Sequence, residues 1–166
     1  MSFLKDKSMS YIAWICPLLK PYYLQNNEYL YFEGDEILSI FFLKSGNCGF
    51  VLPKYENVKY INIKVGNNFG IEDIVGSIIK NEEIDQDEWM YHKDKIMRQF
   101  TVQGNTIPDE TQDDSDKYTM LLSLSINDVN RMQLEFNEVY QSLFEEGYKR
   151  LDHALEIKLK TISACD

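Results

Sequence analysis

Three cysteines in 166 residues, Cys16, Cys48 and Cys165, are too few and too widely spaced for a disulfide framework or a zinc site. Histidine is scarcer still. His92 falls in an acidic segment and His153 in a helical one, neither with a Cys or His at ligand spacing. The chain has no Gly-x-Ser-x-Gly elbow, Walker loop, His-Glu-x-x-His pair or dinucleotide fingerprint. Asp113-Asp114-Asp116 lacks the glycine and terminal glutamate of a calcium loop. An enzyme is therefore not expected, with no catalytic residue and no metal site. No apolar run approaches 18 residues, so no membrane insertion by this segment is expected. The opening Met1-Ser2-Phe3-Leu4-Lys5-Asp6-Lys7 lacks the apolar block of a signal peptide. A reducing, cytoplasmic setting is the expectation.

Bases are also few. The formal charge is −10, from 27 acids against 17 bases, which argues against a nucleic-acid partner, since phosphates need a basic face. The excess is local. Residues 81–95 carry Glu82, Glu83, Asp85, Asp87, Glu88 and Asp94 against Lys93 and Lys95, and residues 109–116 carry five acids and no base. With both segments set aside, 16 acids face 15 bases. The acidity belongs to two insertions in a nearly neutral body, where it keeps loops solvated.

What the chain has is apolar residues, 44% of the total, with 13% aromatic, enough to build a substantial core in one domain. Met9, Ile12, Ala13, Cys16 and Leu19 recur at helical spacing, which predicts a helix over 7–20, interrupted at Pro17 and stopped at Pro21. From Tyr29 onward the texture is β-prone. Tyr29–Phe32, Ile37–Leu43, Cys48–Leu52, Val58–Val65, Arg98–Val102 and Tyr118–Leu124 are short runs broken by Gly, Pro and Asn. They predict an antiparallel β-roll spanning 28–124. Ile71-Glu72-Asp73-Ile74-Val75 opens a short helix, and Ser125 with Asp128 reads as an N-cap. C-terminal helices follow over 125–162, broken near Asn137. The fold class is α+β.

One constellation carries chemistry. Phe69-Gly70 precedes the short helix, whose first amides can face an anion, and Gly70 leaves the backbone open to a phosphate. Arg98 can bring a planar fork of donors to the same group.

The order of these segments resembles the cyclic-nucleotide-binding domain family. The likeness runs through Leu18-Leu19-Lys20-Pro21, Glu28-Tyr29-Leu30-Tyr31-Phe32-Glu33-Gly34-Asp35, and Ile40-Phe41-Phe42-Leu43-Lys44-Ser45-Gly46. It continues through Gly66-Asn67-Asn68-Phe69-Gly70 and Arg98-Gln99-Phe100-Thr101-Val102-Gln103-Gly104. Leu121–Ser125 and Phe136–Tyr140 resemble the last strand and the break between the final helices. These ends are most similar to the cytoplasmic C-terminal domains of cyclic-nucleotide-regulated and voltage-gated potassium channels.

The resemblance implies a regulatory domain that binds cAMP or cGMP at Phe69, Gly70, Ile71, Glu72, Arg98 and Gln99. Arg98 stands at the family's phosphate-binding arginine and Gly70 at its cassette glycine. Leu151 or Leu155 would serve as lid from the last helix. It further implies partners in a channel or larger assembly, such as a homotetramer, on the cytosolic face of a membrane. Ile71 stands where the family places the ribose-binding glutamate, with Glu72 one residue late, and Gln99 replaces the usual Thr or Ala. Those departures support the alternative, a degenerate domain that binds no nucleotide and serves as a structural or protein-interaction module. Because Arg98 lies outside the predicted apolar core, Arg98→Ala is expected to spare fold stability.

Overall fold

The computed structural model describes residues 2–83, 96–104 and 118–166. Residues 84–95 and 105–117, with Trp89, His92 and nearly all of both acidic segments, lie outside the described residues.

Ser8 starts helix α1 (Met9–Ile15), its hydroxyl accepting the Tyr11 amide at 3.2 Å. The helix expected over 7–20 is shorter than that. It tightens at Pro17 into a 3₁₀ turn, Cys16–Leu18, and the chain then enters strand β1 (Lys20–Gln25). The sequence conceals β1 for two reasons. Pro21 cannot donate to a ladder, which is tolerated here because β1 is an edge strand. Only Leu24 of its six residues is buried, so no alternation is visible.

The remaining strands are β2 (Tyr29–Tyr31), β3 (Ser39–Ser45), β4 (Cys48–Leu52), β5 (Val58–Ile63), β6 (Asn68–Phe69), β7 (Thr101–Gly104) and β8 (Tyr118–Ser125). Among the described residues they form two four-stranded antiparallel sheets, β1-β8-β3-β6 and β2-β7-β4-β5. Aromatic rings fill the space within the roll. Phe50 stacks on Phe100 at 4.9 Å and Phe41 on Phe69 at 5.7 Å, contacts that add to the burial of large apolar area.

Between β6 and β7 runs α2 (Ile71–Glu83), longer than the short helix expected. After β8, Ser125 caps α3 (Ile126–Glu135) by accepting the Asp128 amide at 3.1 Å. Phe136 breaks the helical path before α4 (Asn137–Cys165), its ring 5.3 Å from both Tyr11 and Trp14. The break is therefore fastened to α1. Ile71 meets α4 at Gly147, where an added Cβ would lie 2.3 Å from the Ile71 Cγ2. Leu151 lies one turn further along α4, beside Gly76 of α2. No described helix is long and apolar enough to cross a membrane.

Candidate functional site

Two features flank the start of α2: a filled anion pocket and an open cavity. The pocket forms because β6 ends at Gly70, whose φ of +104° turns the chain sharply into the helix. A Cβ at Gly70 would stand 3.0 Å from Arg98 Nη1 and 3.4 Å from Ile40 Cα, so the turn also needs the missing side chain. Arg98 reaches this point from the strand side. Its amide donates to the Asp35 carbonyl and its carbonyl accepts from Gly34, both at 2.8 Å.

The Arg98 guanidinium is enclosed, with 3% of the side chain exposed. Nη2 donates to the Ser39 carbonyl at 2.6 Å, and the fork lies 3.8 Å over the Tyr31 ring. Nη1 pairs with Asp73 Oδ2 at 3.3 Å. Asp73, fully buried in the first turn of α2, draws four donors onto its carboxyl group. Oδ1 accepts the Gln99 and Phe100 amides at 2.7 and 3.1 Å. Oδ2 accepts the Tyr31 hydroxyl at 3.1 Å in addition to Arg98. A guanidinium, two backbone amides and a phenol pointing at one place make an anion site, and the chain's own carboxylate stands in it.

Burial pushes the Asp73 carboxyl up to about 7. Glu72 adds to the rise, while Arg98 and the amide donors oppose it. Burial likewise raises the Tyr31 phenol well above its ordinary value, with Asp73 beside it adding to the shift. Arg98 is thus part of the buried framework. The expectation that Arg98→Ala spares stability is corrected: removing the guanidinium would leave Asp73 buried without its cation.

The second feature is a cavity of about 260 Å³ between β4, β5 and α4. Phe50, Ile61, Ile63 and Phe69 provide apolar walls; Glu72 from α2 and Arg150, His153 and Ala154 from α4 also line it. Glu72 is buried. Its Oε1 accepts the Gly70 amide at 3.2 Å, and its Oε2 has no hydrogen-bond partner among the described residues. Arg150 Nη2 donates to Asn68 Oδ1 at 2.6 Å and Nη1 donates to the Asn68 carbonyl.

The residues singled out in the sequence therefore divide. Gly70, Glu72 and Arg98 meet at the start of α2, but the Gly70 amide is taken by Glu72, and Arg98 by Asp73 and Ser39. Phe69 and Glu72 line the cavity. Ile71, fully buried, and Leu151 pack between α2 and α4, while Leu155 is 38% exposed. The Gln99 side chain donates to the Met97 carbonyl at 2.9 Å and lies under Gly76. Sequence reasoning missed Asp73, Tyr31, Arg150 and the role of His153 as a wall. Asp73 had one available signal, an acid three residues after the helix-opening glycine.

A helix leading into an eight-stranded roll, a helix inserted after a Gly-turn, and two terminal helices closing on it define the fold of the cyclic-nucleotide-binding domains. Comparison with solved structures agrees. The chain is similar to the C-linker/CNBHD of zELK channels crystallized in the presence of cAMP, with 15% identity and a TM-score of 0.57, covering 88% of this chain. It is similar to a Geobacter metallireducens GS-15 protein assigned to cyclic-nucleotide binding, with 8% identity and a TM-score of 0.58, covering 92% of this chain and 89% of that one. It is also similar to the catabolite activator protein of Thermus thermophilus, with 11% identity and a TM-score of 0.58, covering 98% of this chain. The chain spans 59% of the zELK structure and 63% of the activator protein. No family model and no curated protein matches the sequence.

Proposed function

We propose that the chain is a regulatory or interaction domain of the cyclic-nucleotide-binding fold whose anion position is filled from within, so that it binds neither cAMP nor cGMP. One observation carries this reading: the Asp73 carboxyl occupies the donors of Arg98, Tyr31 and two backbone amides. A cyclic phosphate would have to displace it, giving up four hydrogen bonds, of which charged ones are worth about 1.5–3 kcal/mol each. The Ile71 side chain, standing where the family has its ribose-binding glutamate, is committed to packing against Gly147. The domain's place in a larger assembly, a channel subunit or another regulator at the cytosolic face of a membrane, belongs to this proposal, as does assembly into a tetramer.

Calorimetry tests it. The wild-type chain should give no heat with cAMP or cGMP at millimolar concentration. Asp73→Ala, which vacates the anion position while keeping Arg98, should acquire measurable binding if the pocket is otherwise intact. Micromolar binding to the wild type would overturn the reading and favour a nucleotide-gated regulator, the function for which the Gly70 turn beside Arg98 is the supporting observation.

A further inference from the structure

The apolar face that seats α4 runs out before the helix does. Gly147, Leu151 and Ala154 are buried, at the spacing of one helix face. Of residues 155–165, none is buried. About three turns of helix therefore extend past the last buried side chain, with only partly covered residues such as Ile157 and Ile162 to hold them by apolar burial. The next position on the inward face is Lys158, where a docked helix ordinarily presents another apolar residue.

Lys158 is nonetheless withdrawn from solvent, with 14% of its side chain exposed. Lysine is seldom covered unless its charge is paired. Here Nζ donates to Glu33 Oε2 at 3.0 Å and to the Gln99 carbonyl at 3.2 Å, and it lies 5.5 Å over the Phe100 ring. The receiving groups are fixed from the roll side. The Glu33 amide donates to Thr101 Oγ1 at 3.0 Å, and the Gln99 amide donates to Asp73. Both acceptors adjoin Arg98: Gln99 follows it, and Gly34, next to Glu33, donates its amide to the Arg98 carbonyl. A charge in this place carries a desolvation cost that an apolar residue would avoid, and it makes a contact that only one seating of the helix satisfies. Past Lys158, an exposed contact joins the Tyr55 hydroxyl to Asp166.

We propose that Lys158 is a built-in latch, holding the end of α4 against the roll with no ligand present and releasing it when its seat at Glu33 and Gln99 is disturbed. The latch regulates the same site and rests on the self-filled reading above, because Asp73 fixes the Gln99 amide and so presents the carbonyl that Lys158 takes. It accounts for a lysine on the inward face of the helix, and for a seat built beside the anion pocket rather than elsewhere on the roll.

The chain carries its own labelling sites. Cys16 and Cys165 are free and exposed while Cys48 is buried, so spin labels attach to the unaltered sequence at the turn after α1 and at the end of α4. Double electron–electron resonance then reads the distance between them. The wild type and Tyr55→Phe should each give one narrow distance. Lys158→Met keeps the aliphatic stem and removes the charge. Combined with Tyr55→Phe, it should add a second distance, the ratio of docked to released helix falling about tenfold, the change expected for one lost hydrogen bond to a charged group. Glu33→Lys in the same Tyr55→Phe chain should do likewise, with the amide spectrum of the roll unchanged. Glu33 is half-exposed, so that variant keeps the test decisive if Lys158→Met fails to fold.

A single, unchanged distance in both variants would overturn the latch, since partly covered apolar residues would then suffice to hold the helix end. Parallel calorimetry of the wild type with cAMP separates the two readings. Heat sinks the self-filled pocket and the basis of the latch with it, whereas silence together with unchanged distances sinks the latch alone.

Discussion

Arg98 shows how one residue can satisfy a family pattern and yet have a different local task. Its guanidinium is stacked on Tyr31, bonded to the Ser39 carbonyl and paired with Asp73. Above pH 7, where Asp73 is ionised, truncating it leaves a buried carboxylate without its cation, a change that costs about 3–5 kcal/mol. Arg98→Ala should therefore lower the urea midpoint sharply without changing the slope, whatever the nucleotide concentration. Adding Asp73→Asn to that variant should recover part of the loss, because the uncompensated charge goes with it. A double-mutant cycle in urea checks this, and additive losses would mean that the two groups are not coupled. The position of Arg98 near Gly70 was legible from the sequence, because the Gly-turn and the arginine are local signals. Its partner was not. Which of Glu72 and Asp73 faces the arginine is decided by the rotation of α2 against the roll, which is a tertiary property.

At the scale of elements, α2 and α4 approach through Gly147, with Ile71 in the space a side chain would need. Helix propensity alone would favour Gly147→Ala by about 1 kcal/mol. The 2.3 Å overlap with Ile71 Cγ2 should reverse that sign, since overpacking costs about 1–3 kcal/mol. We expect Gly147→Ala to destabilise the domain in chemical denaturation, and Gly147→Ala with Ile71→Val to be closer to wild type. Stabilisation by the single variant would mean that the helices separate at no cost. The elements differ in how plainly they could be read. The terminal helices and their break at Phe136 follow from apolar periodicity and the Ser125 cap. β1 could not be seen, because an edge strand with five exposed residues carries no alternation, and Pro21 masks the β-propensity of Tyr22 and Tyr23. The first helix was overextended for a related reason: Cys16 and Leu19 continue the helical spacing beyond the point where Pro17 tightens the chain.

For the whole molecule, the buried Asp73 links stability to pH. Its folded value, near 7, lies above the ordinary 3.8 of the unfolded chain. The native state therefore holds a proton that the unfolded state has lost across that interval. The resulting stabilisation is fully present below about pH 4 and declines as pH rises through 7. Melting followed by circular dichroism should give a higher Tm at pH 5 than at pH 8, by several degrees for a domain of roughly this size. Asp73→Asn should flatten that difference. A pH profile unchanged in Asp73→Asn would place the dependence elsewhere. Composition shows an acidic, aromatic-rich chain, but no charge count could reveal this group. Its behaviour arises from complete burial beside Glu72 and Arg98, which only the folded chain creates.

Gln99 connects these scales. Its amide is fastened to Asp73 on α2, and its carbonyl receives Lys158 Nζ of α4 at 3.2 Å. The same Lys158 holds Glu33 at 3.0 Å. In mechanical terms, residue 99 is a pin through two levers. Drawing Asp73 away pulls on one side of a single residue whose other side anchors the terminal helix eleven positions beyond Gly147. At about 1.5 Å rise per residue, those two anchorages stand roughly 16 Å apart along α4. Because the far end of the helix is tied as well, the Tyr55 hydroxyl donating to Asp166, residue 99 joins α2 to a helix held beyond the pin as well as before it.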